Sequence, residues 1–178
     1  MVTRRRFLQW GAASVVIAGA GSLMTTWDDP PHPAQFPPPD GGWQILQPQQ
    51  QAFWLALAPA VLHPLWPASM PRQHVERFLH QLDGVLANLA HEQQESLNLL
   101  LQALRKRLFR HVIAGVSHPW QEATRQEVEA FLQDWRHSSL THLRAGYQGL
   151  KTVILAAWYA DKQTWPHIGY PGPPHLKK

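Results

Sequence analysis

Leu97, Leu100, Leu101, Leu104, Leu108 and Val112 recur at steps of three and four. That spacing lines six aliphatic side chains along one stripe of an α-helix, whereas a strand would scatter them over both of its faces. The same steps recur in Val75, Phe78, Leu79, Leu82, Leu86 and Leu89, then in Val128, Phe131, Leu132 and Trp135. They recur again in Leu140, Leu143, Tyr147, Leu150, Ile154 and Trp158. No two-residue alternation and no hairpin dipeptide between apolar runs competes with them. The expected fold is all-α, an antiparallel four- to five-helix bundle with short connections.

Punctuating residues set the expected boundaries. Pro48 suits the first turn of a helix that runs through Phe53, Trp54, Leu57 and Val61, kinks at Pro59 and ends at Pro64 and Pro67. Pro71 opens the second helix. The third carries the Leu97–Val112 stripe and stops at Gly115. Thr124 and Glu127 stand at capping-box spacing before the fourth, and Ser138 or Ser139 caps the fifth. Burying a leucine-sized side chain is worth ~1.5–3 kcal/mol. A core of twenty or more such residues is enough for the bundle, residues 48–160, to fold by itself.

Both flanks differ in composition. Six prolines and the Gly41–Gly42 pair fall between Asp28 and Gly42, so residues 28–47 are expected to form an extended Pro-rich linker. Residues 161–178 read as an extended aromatic C-terminal tail, Trp165-Pro166-His167-Ile168-Gly169-Tyr170-Pro171-Gly172-Pro173-Pro174, whose Pro and Gly forbid regular structure.

Residues 1–27 have the form of an export signal. Thr3, Arg4, Arg5, Arg6, Phe7 and Leu8 precede a short, weakly apolar stretch rich in Ala, Gly and Val. The order Thr-Arg-Arg-x-Phe-Leu resembles the twin-arginine signal, which implies export of a folded protein through the twin-arginine translocase to the periplasm. A bilayer span needs about 20 apolar residues, and this run is shorter unless Trp27 is included. Ala18 and Ala20 frame a possible A-x-A cleavage site. An uncleaved signal would remain as an inner-membrane tether.

The formal charge of +4 reflects the leader. Without Arg4, Arg5 and Arg6, 13 basic side chains face 12 acidic ones, which supplies no electrostatic drive toward nucleic acid. The absence of cysteine excludes disulfides, thiolate metal sites, iron–sulfur clusters and CxxCH haem attachment. Eleven histidines raise the question of metal, but no two stand four apart, and His91-Glu92-Gln93-Gln94-Glu95 places Glu95 where the second histidine of HExxH would be. Neither a Walker, a GxGxxG nor a GxSxG motif occurs. Glu122, Glu127, Glu129 and Asp134 fall where a solvated helix face would put them. Arg105, Lys106, Arg107 and Arg110 form a basic patch, readable as a solvated face near a helix C-terminus or as a docking surface for an acidic partner or lipid phosphates. Trp158, Tyr159, Trp165 and Tyr170 can fold onto the bundle or clasp another subunit, since Trp and Tyr dominate interface hot spots.

Several segments together are characteristic: Phe131-Leu132-x-x-Trp135-Arg136-x-Ser138, Leu143-Arg144-x-Gly146-Tyr147-x-x-Leu150, Ala157-Trp158-Tyr159 and Trp165-x-x-Ile168-Gly169-Tyr170-Pro171-Gly172-Pro173. With the leader, they resemble the small subunits that accompany flavin-dependent GMC-type dehydrogenases. The likeness is to the gluconate 2-dehydrogenase subunit 3 group and, more distantly, to the small subunits of sorbitol and fructose dehydrogenases. It covers roughly residues 44–174. It implies a non-catalytic accessory subunit without a cofactor of its own, which carries the export signal for a flavoprotein large subunit holding FAD. A cytochrome c subunit often takes the electrons in such complexes. No catalytic residue carries over. The expected partner interface is Trp158, Tyr159, Trp165, Gly169, Tyr170, Pro171, Gly172 and Pro173. The rival readings are a stand-alone periplasmic bundle binding metal or haem through its histidines, and a membrane-tethered binding module.

Overall fold

A computed structural model describes residues 35–67 and 69–169, and of 166–168 the backbone alone. Thr3, Arg4, Arg5, Phe7, Leu8, Ala18 and Ala20 of the expected leader, and Tyr170, Pro171, Gly172 and Pro173 of the tail, lie outside the described residues. A 3-10 turn, Pro48–Gln50, leads into α1 (Gln51–Val61); α2 (Arg72–Ala87), α3 (His91–Arg105), α4 (Arg107–Ala114), α5 (Arg125–His137) and α6 (Thr141–Ala160) follow, and a 3-10 helix, Lys162–Ile168, closes the described chain. The protein is all-helical, with no strand among the described residues. None of these helices is long and apolar enough to cross a membrane.

The longest helix organises the rest. α6 lies against α2 and α5, and α1 packs on both α5 and α6. The apolar stripes meet in one core, with Leu57, Leu79, Leu82, Leu104, Leu150 and Ile154 wholly or almost wholly buried. Through it runs a chain of ring contacts: Trp54 on Phe53 at 5.3 Å between centroids, Phe53 on Trp120 at 4.8 Å, Trp120 on Phe131 at 5.8 Å and Phe131 on Trp135 at 4.8 Å.

Three tryptophans also close helix ends. The last carbonyls of a helix have no partner inside it, and an indole N–H can supply one while its ring stays in apolar surroundings. Trp120 Nε1 donates to the Leu104 carbonyl at the end of α3 at 2.9 Å. Trp135 Nε1 donates to Ile113 at the end of α4 at 3.0 Å, and Trp165 Nε1 to Tyr159 at the end of α6 at 2.9 Å. α4 is further terminated by Gly115, left-handed at φ +67°. At the other end of α5, the Thr124–Glu127 capping box forms as expected.

Four expectations need correction. The helix expected to run unbroken to Gly115 is interrupted at Lys106, whose backbone is extended (φ −69°, ψ 124°). The break turns Leu108 and Val112 outward and carries Arg110 inside. Residues 36–46 are not a free linker: Phe36 and Leu46 are buried in the core. A backbone that forms no helix must find other partners when it is covered. Gln51 provides them at Phe36, accepting its N–H and donating to its carbonyl, both at 3.1 Å. Asp83 accepts the N–H groups of Gln44, Ile45 and Leu46 at 2.9, 2.9 and 2.7 Å, and the Arg72 guanidinium lies 4.6 Å over the Phe36 ring. The tail begins as a 3-10 helix, Lys162–Ile168, that includes Pro166. Leu140, expected in the core, is exposed just before α6.

Candidate partner-docking groove

The loop between α1 and α2 carries the sequence Pro64-Leu65-Trp66-Pro67 and ends in Met70-Pro71. Proline keeps this stretch out of a helix, leaving its apolar side chains to pack on whatever lies opposite. Opposite are Phe78 of α2 and Trp158 of α6: Trp66 meets Phe78 edge-on at 5.2 Å and Trp158 at a tilt at 5.8 Å. Between the loop, the start of α2 and the end of α6 lies a half-open groove of ≈ 520 Å³, walled by Met70, Phe78, Trp158 and prolines.

Asp161 fixes the floor. Its carboxylate accepts the Gln163 N–H at 2.9 Å and the Arg77 Nε–H at 3.2 Å, tying the turn after α6 to α2. The Thr164 hydroxyl reaches the Trp158 carbonyl at 2.9 Å and that of Asp161 at 2.8 Å. The polar groups that build the groove are therefore engaged with one another. Two that line it are not: Trp158 Nε1 and His74 Nδ1 are buried with no hydrogen-bond partner among the described residues. Arg77, whose Nε holds Asp161, likewise leaves Nη2 buried without a partner among the described residues. Buried polar atoms are nearly always satisfied, so an aromatic- and proline-walled groove with idle nitrogen groups suits an occupant combining apolar bulk with hydrogen-bonding oxygens, as an extended peptide does.

A second depression, of ≈ 300 Å³, lies between α3 and the 44–50 segment. Its amides are already employed: Gln94 Nε2 is 3.1 Å from each of the carbonyls of Leu86, Ala87 and Leu89 at the end of α2, and Gln50 Nε2 donates to Asn98 Oδ1 at 3.2 Å. It is the weaker candidate.

Of the expected interface residues, Trp158 lines the groove, whereas Tyr159, Trp165 and Gly169 do not. Trp158 is only 7% exposed and forms part of the wall, so it is no outward-projecting anchor. Tyr159, 39% exposed, is next to it on the solvent side. Trp165 is half-buried, and Gly169 is exposed in a left-handed conformation. Sequence reading missed His74, Met70 and Phe78 as groove residues, and Trp66 as the ring packed behind Phe78 and Trp158. The available signal was the Pro-aromatic run 64–71, whose prolines read only as the end of one helix and the start of the next.

The histidines and acidic residues separate by role. His91 pairs with Glu95 at 3.2 Å in full solvent. His118 lies 3.0 Å from Glu127, which is not the solvated residue expected. Burial alone would raise its pKa, but the Thr124 N–H, His118, the Ser117 N–H and the Thr124 hydroxyl together outweigh that and lower it from 4.5 to about 2. Among the described residues, no three His, Asp or Glu side chains gather as a metal site would require. Neither a protein family, nor a curated protein, nor a solved structure matches the chain.

Proposed function

We propose that this chain is a non-catalytic accessory subunit that folds as an antiparallel bundle behind an N-terminal twin-arginine signal. It binds an FAD-dependent GMC-type alcohol or sugar dehydrogenase, and the pair crosses to the periplasm together. There the chain stabilises the flavoprotein, and a cytochrome c subunit accepts the electrons. FAD belongs to the partner in this reading. The leader Thr3-Arg4-Arg5-Arg6-Phe7-Leu8 and the Trp165–Pro173 motif support it. The observation that carries it is the groove beside α6, where Trp158 Nε1 and His74 Nδ1 are buried among aromatic and proline walls without partners among the described residues. An extended segment of the flavoprotein would supply the apolar contact, a carbonyl acceptor for Trp158 Nε1 and a hydrogen-bond partner for His74 Nδ1.

A tagged copy purified from its native host tests this. The expected eluate contains flavin in a 1:1 ratio with the chain and oxidises an alcohol or sugar. His74→Ala, a change at a side chain whose Nδ1 has no partner, should leave helicity intact and weaken retention of the flavoprotein about tenfold, the effect of losing one interfacial hydrogen bond. Arg4→Lys with Arg5→Lys should keep the flavoprotein in the cytoplasm. A chain that elutes without flavin, or a flavoprotein that reaches the periplasm with the doubly substituted leader, would overturn the reading.

A further inference from the structure

α4 is turned inside out relative to the stripe that precedes it. Leu104 of α3 is fully buried, and an uninterrupted helix would bury Leu108 and Val112 beneath it at i+4 and i+8. After the extended residue Lys106, Arg110 is instead 1% exposed while Leu108 is 47% and Val112 66% exposed. Leu108 and Val112 stand one turn apart on the outer face, flanked by the exposed Arg107 and His111, with exposed Arg105 at the end of α3. Between Glu95 and Glu122 the chain has no acidic residue, so no carboxylate of this segment neutralises the cations. Neither groove described above is lined by α4.

We propose that the outer face of α4 seats on an anionic lipid surface, with Leu108 and Val112 entering the boundary between headgroups and acyl chains and Arg105 and Arg107 at the level of the phosphates. Aliphatic side chains on a convex helix face, rimmed by cations of one sign, are the pattern of an interfacial helix. A protein partner would favour an aromatic anchor, and the aromatic of α4, Phe109, is turned toward the core. The surface is separate from the groove at the end of α6, so the inference does not depend on the proposed function.

The chain contains no cysteine, so Val112→Cys places one polarity-sensitive fluorophore on the full-length protein, and Gln126→Cys on exposed α5 gives a control. With phosphatidylglycerol-rich vesicles, the label at 112 should shift to the blue and brighten, and the label at 126 should not. High salt should abolish the change. Adding Arg105→Gln and Arg107→Gln should weaken it about tenfold or more, from the usual contribution of each basic side chain near an anionic surface. Label 112 reports this face alone, so vesicle binding through the leader does not imitate the result. No shift at 112 in vesicle-bound protein would overturn the proposal, as would an equal shift with pure phosphatidylcholine. A shift with polyglutamate but not with vesicles would also overturn it and identify an acidic polypeptide as the occupant.

Discussion

The carboxylate oxygen Oδ1 of Asp83 lies 2.7 Å from the backbone nitrogen of Leu46, across 37 residues of chain. The same carboxylate receives the N–H groups of Gln44 and Ile45, so one buried side chain holds the proline-rich segment against α2. Hydrogen bonds to a charged acceptor are worth about 1.5–3 kcal/mol each and do not add fully when they share it. Asp83→Ala should therefore cost about 2–4 kcal/mol and lower the melting temperature by roughly 5–15 °C. Asp83→Asn, which keeps one acceptor oxygen, should fall between. Thermal unfolding followed by circular dichroism checks the order, and an alanine variant as stable as the parent would show that the segment is not held here.

Gln51 acts on the same segment by a different route. Its amide mimics a backbone peptide, giving to and taking from Phe36. Gln51→Leu keeps the bulk but strands both Phe36 groups, for a cost of about 1–3 kcal/mol. Urea unfolding should show a lower midpoint. Limited proteolysis should cut near residue 36 sooner in the variant than in the parent.

Two helical glycines should respond oppositely to alanine. Gly84 in α2 has nothing within 4 Å of a would-be Cβ, so Gly84→Ala should stabilise by up to about 1 kcal/mol through helix propensity alone. At Gly146 a Cβ would stand 2.7 Å from Cζ3 of Trp135. That ring is buried and held by its bond to Ile113, so it has little room to retreat. Gly146→Ala should destabilise by about 1–3 kcal/mol, overpacking outweighing propensity. Denaturant midpoints of the two variants on opposite sides of the parent are the expected result.

Glu127 makes stability depend on acid pH. Its pKa is about 2 in the folded chain against an ordinary 4.5. A lowered carboxyl pKa stabilises the fold fully above the unfolded value, and that contribution disappears as pH falls toward the folded one. Glu127→Gln should thus be less stable than the parent near neutral pH. The difference should shrink between pH 4.5 and pH 2. A gap that stays constant across that interval would place the effect outside the Glu127 charge.

Where helices form, and most of where they stop, is legible in the order of residues alone. The three- and four-residue steps, Gly115, Pro71 and the Thr124–Glu127 box act through neighbours within a turn or two, and such local terms are written in the order of residues. What the interruptions do depends on long-range packing. The extended backbone at Lys106 reverses which face of α4 is buried, though Leu104, Leu108 and Val112 form an unbroken stripe on paper. Phe36 and Leu46 enter the core because Gln51 and Asp83, from distant positions, satisfy the intervening amides. The groove exists only because a proline-rich loop meets Trp158 and His74 across the fold. Each of these depends on partners far apart in the chain, and no local periodicity encodes a pairing of that kind.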